Sequence, residues 1–237
     1  MIPAPTACRG TGALARLLAC SFCCACSASF EPGVHVELIS QRTVAAGQEL
    51  PAGSEVLRVE ELRWTSSEIE LEPCDSVYSS AVRWLLPEAR AHGSSSPTRS
   101  ASPFIVTATA TDATLMGELE PPPGRYCSLR YRVAPADEDA LGLTSAPDML
   151  DRSFWLRGAA GPTTDDLRPF ELVSRRALDV TLAVDLDLST EHPQASVQFR
   201  LDPQRWLAGL SPSDLATGTG EVAFIEAFRA GLSVRVE

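Results

Sequence analysis

The 237-residue chain contains no lysine and no asparagine. Without asparagine, Asn-Gly hairpin turns are excluded, so chain reversals must rest on Gly, Pro, Asp and Ser. Without lysine, all 20 basic residues are Arg; they face 31 acidic ones, for a formal charge of −11. No basic stripe is present, and a polyanion held by counterion release needs one, so nucleic acid is excluded as a partner. Histidine is scarce, with three residues, His35, His92 and His192, each in a different segment. Also missing are a Gly-x-Ser-x-Gly elbow, a His-Glu-x-x-His helix and a Gly-rich phosphate loop. A nucleophile needs a base that is itself held by a third group, and three isolated histidines give little to build one from. The chain is therefore read as a non-enzyme.

What is present is apolar material sufficient for a core, at 44% hydrophobic and 22% charged residues. Also present is a cysteine run, in "LLACSFCCACSASFEPG" from Leu17 to Gly33. Ahead of it, Met1–Arg16 carries Arg9 and Arg16 and no acid, and Leu17–Ala25 is uncharged and largely apolar. That order is the one of an export leader, with an apolar stretch too short to span a bilayer. Bacterial lipoprotein leaders end in a small residue followed by an acylated Cys, and Ala25-Cys26-Ser27 supplies one; Cys20 is the close alternative. The expected organisation is a signal peptide over 1–25, a lipidated tether over 26–33 and one domain over 34–237. Such a protein is held at the envelope membrane by palmitate-type acyl chains. The competing reading of the run is a Cys-Cys-x-Cys clip for zinc or copper(I), which would want a second matched pair or a nearby His.

Beyond the leader, only Cys74 and Cys127 remain, and an oxidising compartment predicts that they pair. Closing a loop of that size is worth about 4 kcal/mol in the chain-entropy account.

From His35 onward, apolar residues fall on every second position. In "ALDVTLAVDLDLS", Leu178, Val180, Leu182, Val184, Leu186 and Leu188 lie on one face, with Asp179, Thr181, Asp185 and Asp187 on the other. Val34, Val36 and Leu38 repeat this against His35 and Glu37, as do Val197, Phe199 and Leu201 against Gln198 and Arg200. "EIELE" places Ile69 and Leu71 inward and three Glu outward. Phe104–Leu115 and Gly124–Val133 are further strands, the second with Cys127, Leu129, Tyr131 and Val133 on one side. Breakers fall at Pro121–Gly124, Gly158–Pro162 and Glu191–Pro193, and Ala91–Pro103 is a polar loop. An Asp cap and Pro203 start a short helix over 202–210. "GEVAFIEAFRAGL" is a second helix with Gly231 as its C-cap, and Leu232–Val236 closes the sheet as a strand. Strand runs without alternating helices predict an all-β, antiparallel sandwich of the immunoglobulin or transthyretin kind, with one or two short helices near the C-terminus.

The order of several segments resembles the MbnP-like family, exported β-sandwich proteins associated with copper-chelating peptide systems. The residues that carry the resemblance are "VLRVEELRWTSSEIELEPC" (56–74), "PPPGRYCSLRYRV" (121–133), Met149 followed by Ser153-Phe154-Trp155 and Gly158, and "VQFRLDPQRWLAGL" (197–210). The resemblance implies the sandwich fold and an exported location. It also implies copper held by histidines, with an oxidisable tryptophan. The family's Asn-His pair after the Gly-x-Tyr strand is replaced here by "APADEDALGLTSAPDML", without histidine, and Trp155 stands at a different spacing from Met149.

The candidate metal set is therefore His35, His92, His192 and Trp155, with copper as the candidate cofactor; scattered, solvated histidines are the competing reading. Asp137-Glu138-Asp139 is an acidic loop without the calcium-loop spacing. Trp64 and Trp206 are expected in the core, and Trp155, directly after Phe154, points to the other face. The sequence leads to an envelope-anchored binding or structural module, ligand unassigned, with a periplasmic copper-binding protein as the alternative.

Overall fold

Period-two stretches of the sequence become strands throughout the structure, a computed structural model that describes residues 35–40, 45–74, 96–108, 113–202, 205–206 and 210–237. Among these residues the strands are β1 (His35–Ser40), β2 (Gln48–Ala52), β3 (Glu55–Pro73), β4 (Arg99–Ser100), β5 (Phe104–Thr107), β6 (Thr114–Leu119), β7 (Gly124–Val133), β8 (Phe154–Gly161), β9 (Arg168–Ser174), β10 (Leu178–Leu188), β11 (Gln194–Leu201) and β12 (Leu232–Val236). Two helices, α1 (Pro212–Ala216) and α2 (Glu221–Gly231), precede β12. Arg205 and Trp206 are also helical, and the Trp206 N–H reaches back to the Asp202 carbonyl at 3.1 Å, which places a helical turn where the Asp-Pro start predicts one.

The strands form two sheets. One has the order β12-β11-β1-β6. The other follows β10-β7-β3-β8-β9, with β2, β4 and β5 also paired to β3. Tyr131 of β7 meets Phe199 of β11 with ring centroids 4.9 Å apart, so the inner faces close on each other as in a sandwich. The expected all-β sandwich is what forms. Its ladders are antiparallel except for one, β1 on β11, which runs parallel from His35↔Gln194 to Ser40↔Phe199.

The longest strand, β3, shows how the core is kept continuous over 19 residues. Its buried apolar residues are Leu57 and Val59, then Leu62 and Trp64, then Ile69 and Leu71, all in one cluster. Their parity changes twice. Each change coincides with a register irregularity, between Val59 and Glu61 against β8 and between Ser66 and Glu68 against β7. An extra residue at each bulge returns the following side chains to the inner face, where an unbroken alternation would have turned them outward. Helix α2 covers one end of this core: Phe228 packs edge-on to Trp64 and Phe154, at 5.1 and 5.0 Å, and Phe224 meets Trp206 at 6.0 Å. Trp64 and Trp206 are core residues, as expected.

Three local readings are corrected. Gly158–Gly161 is the end of β8 and not a break; small residues there admit neighbouring backbone, since a Cβ on Gly158 would fall on the Arg58 carbonyl oxygen and one on Gly161 on that of Asp166. Gly231 is the last residue of α2 and has no left-handed φ; a Cβ there would lie 2.7 Å from Trp206 Cβ. Cys127 does not share the inner face with Leu129, Tyr131 and Val133: it is exposed, and Tyr126 takes the inward place. In addition, the segment read as a polar loop contains β4, and Phe104–Leu115 is divided between β5 and the start of β6.

Candidate functional site

Cys20, Cys26 and His92 lie outside the described residues. His35 and His192 do not, and the parallel β1–β11 pairing brings their backbones together: His35 stands opposite Gln194, and its N–H donates to the Pro193 carbonyl at 2.8 Å. The His35 ring lies half-buried on the outer face of the smaller sheet, with Nε2 3.8 Å from Glu118 on β6. His192 occupies the exposed β10–β11 turn, where its N–H donates to Ser189 Oγ at 3.1 Å and that hydroxyl lies 3.5 Å from the ring Nδ1. This is local turn chemistry of the hydroxyl-backbone type. An open cavity of about 400 Å³ beside His35 is lined by Glu37, Gln194, Ser196 and Glu237. Its chemistry is that of one imidazole among carboxylates, suited to a cation or a hydrogen-bonding ligand. Among the described residues, no three His, Cys, Asp or Glu side chains converge as metal ligands.

Trp155 is placed on the outer face of the larger sheet, as its position after Phe154 predicts, but it is only 7% exposed. The segment 134–153, with short 3₁₀ turns at Leu143–Ser145 and Pro147–Met149, folds over it. Met149, Ile105, Ala136, Ala140 and Ala146 form a second small core around the indole. The Trp155 N–H donates to Glu171 at 2.7 Å. The guanidinium groups of Arg63 and Arg157 lie 4.9 and 5.6 Å from the ring centroid, and Glu61 bridges both arginines. A metal cation brought to this indole would meet two guanidinium charges already attracted to its π face. The sequence signal for this cluster was the Trp155-x-Arg157 spacing, which puts both side chains on one face of a strand; Arg63 joins only through register, opposite Trp155.

No family model, no curated protein and no solved structure matches this chain.

A second open cavity, about 500 Å³, lies where β6 faces β4, lined by Ser96, Arg99, Ser100, Gly117, Glu118 and Leu141 among others. Sequence reasoning did not find it, because it joins the edge of one sheet to a two-residue strand of the other. The outer face of the larger sheet carries cross-strand pairs: Glu68 with Arg99 at 3.0 Å, Glu72 with Arg130 at 3.3 Å and Asp185 with Arg125 at 3.0 Å. The three outward Glu of "EIELE" thus meet arginines of β4 and β7, and the face is charge-matched, half-buried at these glutamates and exposed at Arg125 and Asp185. Asp137, Glu138 and Asp139 are exposed, with the Asp139 N–H capping Asp137 Oδ1 at 3.2 Å.

The expected bridge is present: Cys74 and Cys127 are joined, with their Cα atoms 4.8 Å apart. One hydroxyl is strongly displaced from its ordinary acidity. Tyr131 is fully buried, and burial pushes it up to about 12, against the hydrogen bonds from Ser66 and from the Trp64 N–H, at 2.7 Å for the latter, which favour the phenolate. Burial also raises Tyr126, whose hydroxyl donates to the Pro122 carbonyl at 2.8 Å.

Proposed function

We propose that this chain is an exported bacterial lipoprotein, moored by an acylated Cys26, whose sandwich acts as a binding or structural module at the cell envelope. The observation that carries this reading is the Cys74–Cys127 bridge in a chain whose other five cysteines all precede residue 27, because disulfides persist where proteins are exported. Paired charges on the outer face of the larger sheet fit a domain held in water beside a membrane. Mass spectrometry of the N-terminal peptide from native envelopes tests the anchor. A diacylglyceryl thioether on Cys26 as the first residue is the expected result, modification at Cys20 shifts the tether, and an unmodified Met1 start ends the reading.

Copper binding is the second reading, and the His35–Pro193 hydrogen bond favours it by setting two histidines at one end of the smaller sheet. Metal analysis of protein from its native envelope should then give stoichiometric copper, lost in His192→Ala. Metal-free native protein rejects it.

A further inference from the structure

Cys127 is the one residue of β7 that takes part in neither flanking ladder. Against β10 the register passes from Ser128↔Ala183 to Tyr126↔Leu186, and against β3 from Ser128↔Glu72 to Tyr126↔Pro73. Against β3 the extra residue is Cys127 itself, whereas against β10 the extra residue lies on β10, where Val184 and Asp185 stand opposite Cys127; the Cys127 side chain is exposed. Its partner Cys74 is half-buried just past the end of β3, and the Cys74 N–H is bonded to the Arg125 carbonyl at 2.9 Å. The bridge thus sits outside the main core, where thiol access is open and the strand pairings do not run through it.

We propose that Cys74–Cys127 is an exchangeable disulfide and that Cys127 is the sulfur attacked by an external low-molecular-weight thiol. In the first step the thiolate forms a bond to Cys127 Sγ. The Cys74–Cys127 bond breaks, and Cys74 leaves with its electron pair as a thiolate that takes a proton from water. In the second step another thiolate attacks the reagent's sulfur in the mixed disulfide and releases Cys127, so the protein gains two electrons and two thiols become one disulfide. Access and leaving-group identity govern such exchange. Cys127 is the accessible sulfur, and Cys74 keeps its backbone bond to Arg125 after it leaves. Because no ladder pairing involves Cys127, both sheets persist in the reduced and mixed-disulfide forms, which makes the site reversible.

The test uses the full chain, incubated with reduced glutathione under native conditions, quenched in acid and mapped by peptide mass spectrometry, with far-UV circular dichroism recorded in parallel. The expected product carries glutathione on Cys127 and a free Cys74, with the β spectrum retained. The expected native rate lies within about tenfold of the rate in urea. Glutathione on Cys74, a native rate slower than that limit, or loss of the β spectrum on exchange would each overturn the proposal.

Discussion

Gly53 and Gly158 are both glycines in or beside β-strands, and they are glycine for unlike reasons. Gly53 has φ of +65°, with open space around its α-carbon, in the two-residue turn that joins Ala52 to Glu55. Ser54, the second turn residue, has no positive φ, so the hairpin is of the II′ kind, with glycine at its first central position. Gly158 has ordinary strand angles but lies against the Arg58 carbonyl and the Phe170 ring. Alanine at Gly53 meets only a backbone penalty, of about 2 kcal/mol. Alanine at Gly158 drives a methyl into main chain at the Val59–Glu61 bulge and costs about 3 kcal/mol. Urea denaturation of the two variants should reproduce that order; equal midpoints would mean that the close approach at Gly158 is relieved without loss.

Among elements, β3 depends on its extra residues more than on any single contact. Glu60 is exposed and skipped in the β8 register, where Val59 stands opposite Gly158 and Glu61 opposite Arg157; its carboxylate is 3.6 Å from Arg157. Glu60→Ala removes only an exposed ion pair and should change stability by less than about 1 kcal/mol. Deleting Glu60 is different in kind, since either Leu57 and Val59 or Leu62 and Trp64 must then turn away from the core. The expected outcome is a cooperative denaturation curve for the substitution and none for the deletion, read by tryptophan fluorescence. The same bulges mark the boundary of what the sequence makes legible. In β10, eleven residues alternate without interruption, and the burial follows the pattern from Leu178 to Leu188. The helix α2 is equally plain, because Phe224, Ile225 and Phe228 repeat at helical spacing. In β7 the alternation read through Cys127 fails at the bulge. The small residues of β8 look like a breaker because close backbone approach and turn formation both call for glycine. The parallel β1–β11 pairing, and with it the backbone approach of His35 to Pro193 beside His192, comes from strands about 160 residues apart in sequence, a relation that no local pattern encodes.

At the scale of the whole molecule, the two layers are joined where Tyr131 of one sheet packs on Phe199 of the other, with Trp64 and Ser66 hydrogen bonded to the tyrosine hydroxyl. Ionising that hydroxyl would place a phenolate in the centre of the core, and this sets an alkaline limit on the fold. In the unfolded chain Tyr131 gives up its proton near 10; in the folded protein burial holds it to about 12. Between those values the unfolded state binds fewer protons, so stability falls as pH rises. The contribution is complete below pH 10 and lost progressively toward 12, amounting to about 3 kcal/mol across the interval. Urea midpoints measured from pH 8 to 11.5 should therefore decline, with both sheets lost in one transition because the group lies between them. In Tyr131→Phe the protein starts less stable at neutral pH, having left the Trp64 N–H without its buried acceptor. Its midpoint should then decline less steeply with pH, the residual slope including Tyr126. An unchanged slope in the variant would mean that some other group sets the alkaline limit and that the Tyr131 hydroxyl reaches water before the layers part.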